Sequence, residues 1–228
     1  MSLTYTYIGH GTHALSVSGH RLLIDPFING NPATTLTADD VQCDFILITH
    51  GHGDHVGDAV AIAQRTGAPC IANASICKWL EAKGAPKTQN LYFGGWQKFL
   101  FGRAKMTIAF HGSSLPDGTD GGNPGGYLIE SNGKERIYFA GDTALFGDMA
   151  LIGEEGLDLA VLPIGDHYTM GPDDALRAVK LLNPKHVVPT HYNTWPVVAQ
   201  DGDAWGQRVT SETKSTPHVL LPGQSIDL

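Results

Sequence analysis

The sequence predicts an α/β fold whose sheet is partly parallel, and three observations predict it. An apolar run over residues 44–49, the helically spaced Val56, Ala59, Val60 and Ala63, and a short run over 69–72 follow as strand, helix and strand. Runs of strand length recur through the rest of the chain, with helices set among them. Metal-ligating side chains gather at the carboxyl ends of the predicted strands, where sites collect in α/β folds.

Residues 4–8, 14–18 and 21–25 read as strands, the last two joined by a turn at Gly19-His20. Residues 44–49 are a fuller apolar strand. The helix after it stops at Gly67, because glycine takes the left-handed conformation at a helix end without strain. Residues 69–72 form the next strand, and a second helix is expected over 75–83 with Ser75 as its cap. Strands return at 99–101, 105–110, 126–130 and 136–140, with an Asn132-Gly133 turn between the last two. Another strand spans 157–162. Pro172-Asp173-Asp174 opens a helix: proline suits its first turn and the acids suit its dipole. Ala175, Val179 and Leu182 give that helix a buried stripe, and Asn183-Pro184 ends it. A strand over 186–190, a helix over 203–212 and a final strand over 218–221 complete the order. The β-rich halves with interspersed helices point to two similar layers.

With 228 residues, 42% of them apolar, and no linker-like stretch, one domain spanning 1–228 is expected. The net charge of −8, with only 15 Lys and Arg, argues against a long nucleic acid or an anionic membrane as partner. Cys43, Cys70 and Cys77 form no Cys-x-x-Cys pair and read as reduced, buried thiols. The first residues lack a basic, then apolar, leader, and no run approaches the roughly 20 apolar residues of a bilayer span, so a cytoplasmic protein is expected. A homo-oligomer is compatible with this composition.

The densest chemistry lies in Ile48-Thr49-His50-Gly51-His52-Gly53-Asp54-His55, which follows an apolar strand. Imidazole and carboxylate suit borderline divalent metals, and glycines at 51 and 53 let the backbone curl so that several ligands face one point. Asp25, His111, Asp142 and His191 each close or follow another predicted strand. The loop 118–126 is rich in glycine but lacks the Lys-Ser/Thr ending of a phosphate-binding loop; it reads as a surface loop or, from its place after His111, a lid.

The series His-x-His-x-Asp-His, then a lone His, a lone Asp and a last His, resembles the metallo-β-lactamase fold superfamily. Within it the chain is similar to small bacterial and archaeal metal-dependent hydrolases akin to ascorbate-6-phosphate lactonases. The likeness runs nearly end to end, through Gly9-His10, Leu23-Ile24-Asp25-Pro26-Phe27, residues 49–58, Ala140-Gly141-Asp142-Thr143, Leu162-Pro163-Ile164-Gly165-Asp166, Thr169-Met170-Gly171-Pro172 and His191-Tyr192-Asn193-Thr194.

The resemblance implies an αββα sandwich of mixed sheets with outer helices and two metals in a cleft at the sheet edges. It implies that His50, His52 and His111 hold one metal, that Asp54, His55 and His191 hold the other, and that Asp142 bridges them. Zinc is the expected metal because the set is His-rich and free of cysteine, with manganese, nickel or iron as alternatives. Two such ions would activate a bridging water near neutral pH, and Asp54 would align it. Asp25 is expected to orient a ligand, and His10 either to reach the cleft or to serve the structure. His167 and Tyr168, after a strand end, are expected as a proton donor and a substrate contact. Tyr192, Asn193 and Trp195 are expected near the substrate.

These residues predict a binuclear metal-dependent hydrolase of a small ester, lactone or phosphodiester, with an anionic small molecule as substrate. The alternatives are a non-catalytic metal-binding protein and a di-iron redox protein on the same fold. The redox relatives usually carry Glu where His52 stands and add a flavin domain. All seven ligand positions hold competent residue types, which counts against a relic site.

Overall fold

The computed structural model describes residues 3–228. The chain opens with β1 (Thr4–Gly9), β2 (Thr12–Val17), β3 (His20–Ile24) and β4 (Phe45–Leu47). It continues with α1 (Gly53–Val56), α2 (Ala59–Thr66), β5 (Cys70–Ala72), α3 (Ala74–Ala82) and β6 (Thr88–Asn90). The second half holds β7 (Gln97–Phe99), β8 (Gly102–Ile108), β9 (Gly125–Ser131), β10 (Arg136–Phe139), α4 (Met149–Gly153), β11 (Leu159–Pro163), α5 (Pro172–Leu182), β12 (His186–Thr190), α6 (Gly202–Glu212), β13 (Thr216–Pro217) and β14 (Ser225–Asp227).

Two seven-stranded sheets result, in the orders β14-β1-β2-β3-β4-β5-β6 and β13-β12-β11-β10-β9-β8-β7. Each passes from antiparallel pairs to parallel ones. In the first sheet the change falls at β3, and in the second at β10. Asp25 follows β3 and Asp142 follows β10, so both carboxylates leave their sheets where the pairing changes sense.

Three apolar layers hold the assembly. Between the sheets lie Tyr5, Leu22, Leu47, Phe101, Tyr127 and Phe139, among others. Outside the first sheet, α2 and α3 bury Ile62, Ala63, Ile76 and Leu80. Outside the second, α5 and α6 bury Leu176, Val179, Leu182, Trp205 and Val209. The layering is helix, sheet, sheet, helix, as the resemblance implied. Tyr127 also ties the sheets together, its hydroxyl lying 2.9 Å from the carbonyl oxygens of Ile48 and Ile71.

Gly67 takes the left-handed conformation at φ 74° and closes α2 as expected. The cap of α3 is Asn73, whose side chain accepts from the Ile76 amide at 3.0 Å, and not Ser75. Asn73 is still extended as it leaves β5, which is the geometry a cap requires. The expected strand over 218–221 is irregular, because β13 is already complete at Pro217 and edge pairing resumes only at β14. Short β6 and α4 lack the periodicity that would have marked them. The three cysteines are free and buried, and burial pushes each thiol up to about 11 or 12, so they are unreactive.

The glycine-rich loop is tied to the body. Gly121 N donates to Ser113 O at 2.8 Å, and Asn73 Nδ2 donates to Gly121 O and Asn123 O at 2.7 and 3.0 Å. These bonds join the loop to Ser113 and to the start of α3.

Candidate metal centre

The strand ends deliver the site. His50 stands three residues beyond β4, His52 caps α1, and Asp54 and His55 lie within that one-turn helix. His111 follows β8, Asp142 follows β10 and His191 follows β12. His10, Asp25 and His191 sit in the left-handed region at φ 55°, 49° and 56°. Non-glycine residues enter that region at some cost, and such strain collects where surrounding bonds over-determine the backbone. Gly51 is needed for space, since a Cβ there would lie 2.6 Å from Ser113 O; Gly53 faces open room.

Asp142 is the centre of the arrangement. Its Oδ2 lies 3.0 Å from His191 Nε2, 3.5 Å from His111 Nε2 and 3.9 Å from His50 Nε2. Its Oδ1 lies 3.4 Å from His55 Nε2. Burial pushes this carboxyl up, but the imidazoles of His191 and His55 outweigh it and hold the group well below the usual carboxylate range.

Ligand atoms converge in two places. Those of His50, His52 and His111 lie within 4.8 Å of one another, as do those of His10, Asp54, His55 and His191. A third grouping, Asp25 with His50 and His55, overlaps both. The sequence expectation had His10 beside the site or in a structural role. It is fully buried, with Nε2 3.2 Å from Asp54 Oδ2 and Nδ1 2.9 Å from Thr194 Oγ1. Its ring lies 3.9 Å from that of His191. Burial lowers its pKa to about 4, against the pull of Asp54, so it is neutral at physiological pH.

Asp25 faces inward to the ligands. Its Oδ1 accepts from Thr49 N at 2.7 Å, and its Oδ2 accepts from Thr49 Oγ1 at 2.6 Å and His55 Nδ1 at 2.8 Å. Thr49 gives its only hydroxyl proton to Asp25. The 3.0 Å contact between Thr49 Oγ1 and His50 Nδ1 therefore needs His50 Nδ1–H as donor. One carboxylate thus keeps a proton on Nδ1 of both imidazoles and turns their Nε2 to the centre. Thr49 and Thr194 were not singled out in the sequence, although each adjoins a ligand motif.

The donor set fits a metal. His55 Nε2 and both nitrogens of His191 are buried without a hydrogen-bond partner, a costly state that a bound cation would relieve. All the converging atoms are imidazole nitrogen or carboxylate oxygen, the set that zinc and its neighbours take.

The other expected residues are placed differently. His167 and Tyr168 are exposed on the loop after β11, and His167 joins neither ligand group. Met170 N of that loop donates to Thr143 O at 3.0 Å, which brings the loop beside Asp142. Tyr192 turns away from the ligands into the layer outside the second sheet, where Gly202 leaves room for its ring. Packing in that layer accounts for its placement. Asn193 is exposed, and its Oδ1 accepts from Gln200 N at 2.8 Å, which shapes the following loop. Trp195 packs edge-on to His10 at 4.7 Å between ring centroids.

A family model described as a β-lactamase superfamily domain matches residues 20–192. The chain is 51% identical over 222 residues to a UPF0173 metal-dependent hydrolase of Thermus thermophilus, with 97% of each covered. It belongs to the UPF0173 metal-dependent hydrolases. A member from Heliobacterium modesticaldum is 46% identical over 234 residues, covering 99% of this chain and 98% of the relative. Among solved structures, Igni18, a novel metallo hydrolase from Ignicoccus hospitalis, matches with a TM-score of 0.92 and 37% identity, over 100% of this chain and 99% of that one. The hydrolase therefore has the metallo-β-lactamase fold, and its His/Asp cluster is the candidate metal site.

Proposed function

We propose that this metal-dependent hydrolase works with two divalent ions, zinc by default, on an ester-like bond of a small molecule. The observation that supports the reading best is the placement of Asp142, one carboxylate reaching the imidazoles of both ligand groups. His50, His52 and His111 would hold one ion and Asp54, His55 and His191 the other, with Asp142 shared. When bound, two such ions supply hydroxide near neutral pH and polarise the oxygen of the bond attacked.

The chain's residues prepare that chemistry. Asp25 and Thr49 hold the Nδ1 side of His55 and His50, so that Nε2 of each is turned to the centre. His10 holds one oxygen of Asp54, the carboxylate that would align a nucleophile. The cysteines are buried in the layer outside the first sheet, and Ser113, beside the ligand loop, accepts from Gly51 N at 3.0 Å. These residues suit an ester, a lactone or a phosphodiester.

Elemental analysis of protein prepared without chelator, paired with a panel of those three substrate classes, tests the reading. Two ions per chain and turnover of at least one class, lost with chelator, are expected. Full turnover with one ion would refute the binuclear reading, and no metal with no turnover would refute the whole.

A further inference from the structure

The distribution of cations over this chain is uneven. All 15 Lys and Arg fall outside residues 1–20, 22–64, 106–133, 137–176 and 186–207. Every residue assigned to the centre or its surroundings, from His10 to Trp195, lies inside those cation-free stretches. Several cations sit instead at the amino ends of the strands, away from the ligands: Arg21 beside the start of β3, Arg136 opening β10 and Lys185 preceding β12. Most are also engaged, as in Arg21 with Asp44, Arg136 with Glu130 and Lys185 with Asp158.

The groups beside the centre are of another kind. Phe110 precedes His111 and is 60% exposed, and Tyr168 is 54% exposed. Both flank Thr143, the residue after Asp142: Phe110 N donates to Thr143 Oγ1 at 3.0 Å, and the Tyr168 loop reaches Thr143 O through Met170 N. Val197, 48% exposed, lies on the third loop, two residues beyond the Trp195 ring that packs on His10. The charges on these loops are acidic, with Asp166 exposed and Asp54 partly so.

A phosphate or carboxylate held away from the reacting bond calls for an Arg fork or a Lys, or is buried at a large cost. None of the segments that build this cleft supplies one. The carboxylates of Asp25, Asp54 and Asp142 would also offset most of the charge of two divalent ions, leaving little surplus for a second anion. Large exposed apolar side chains on the loops that carry a polar centre, with the Phe110 ring 5.6 Å from that of Phe146, instead suit an apolar substituent.

We propose that the substrate is an uncharged ester or lactone carrying an apolar substituent, seated against Phe110 and Tyr168. This rests on the hydrolase reading above and replaces the anionic substrate expected from the metals alone.

Matched aryl esters test it with the zinc-loaded full chain: hexanoate against the adipate half-ester, and butanoate against the succinate half-ester. The neutral member of each pair is expected to have kcat/KM at least about tenfold higher, a difference of roughly 1.4 kcal/mol. Phe110→Ala should raise KM more for the hexanoate than for the butanoate, and Phe110→Lys should narrow the gap between neutral and anionic members. Equal or better turnover of the half-esters would overturn the proposal while leaving the hydrolase reading intact. If no ester is turned over, saturation-transfer NMR with hexanamide and succinamate still decides. Contact by hexanamide that is lost in a Phe110→Ala/Tyr168→Ala variant supports the proposal. Contact by succinamate alone, or hexanamide contact unchanged in that variant, overturns it.

Discussion

Asp25 Oδ2 accepts from His55 Nδ1 at 2.8 Å, and this bond decides which nitrogen of His55 faces the centre. The same carboxylate reaches His50 through the hydroxyl of Thr49, so two ligands in different groups depend on one residue that need not touch metal.

Asp25→Asn is therefore expected to weaken metal affinity roughly 10- to 100-fold, because the amide cannot accept from both partners as the carboxylate does. Competition against a chromophoric chelator measures it, with circular dichroism confirming the fold. Unchanged affinity would show that the Asp25 bonds do not prepare the ligands.

Metal uptake should release a proton from His55. Burial pushes this imidazole down, but Asp142 and Asp25 on its two sides outweigh burial and hold its pKa well above the ordinary value. In metal-free protein at pH 7 it is charged, whereas burial keeps His10 and His50 neutral. A ligand must be deprotonated, so zinc added to chelator-treated protein at pH 7 should displace about one proton from this residue. Calorimetry in buffers of different ionisation enthalpy reads the number. A binding enthalpy independent of buffer would contradict it.

His52→Ala and Asp142→Ala should each lower turnover by at least about a hundredfold, the scale of losing a contribution of several kcal/mol. His52 caps a one-turn helix in a surface loop, and the three apolar layers stay intact in both variants. Circular dichroism should look native. Near-normal hydrolysis in either variant would refute the assigned centre.

Acid stability should depend on Glu130, which belongs to neither ligand group. Its side chain is almost fully buried, and Arg103, followed by Arg136 and Lys134, outweighs that burial and holds its pKa at about 2. A depressed folded value means the contribution is complete above the unfolded value of 4.5 and is lost as pH falls toward 2. Glu130→Gln should cost about 1–3 kcal/mol at neutral pH, moderated because the cations are partly solvated. Denaturant melts at pH 7 and pH 3 check this: the gap between variant and parent should shrink in acid. A gap that stays constant would argue against the linkage.

Much of this was legible in the sequence, and the misses have physical causes. The ligand motifs could be read because each sits at a strand end with a distinctive residue type, and α5 announced itself by Pro172, its apolar stripe and Asn183. The short strands β6 and β13 could not be read, because two or three residues give no period. Tyr192 looked like a substrate contact from its place after His191, but a side chain's direction depends on packing that no local pattern reveals. The Asp25–Thr49–His50 relay was hidden for the same reason: Asp25 and Thr49 lie 24 residues apart and meet only once β3 pairs with β4. The empty stretches between cations were visible, but they acquired meaning only when the fold placed those stretches around one centre.

Asp142 is expected to stand between two ions held by this chain. Anomalous diffraction from crystals of the zinc-loaded protein, recorded on both sides of the zinc absorption edge, tests it most directly. Two peaks are expected, one against His50, His52 and His111 and the other against Asp54, His55 and His191, with Asp142 between them. A single peak, or peaks away from Asp142, would contradict the account.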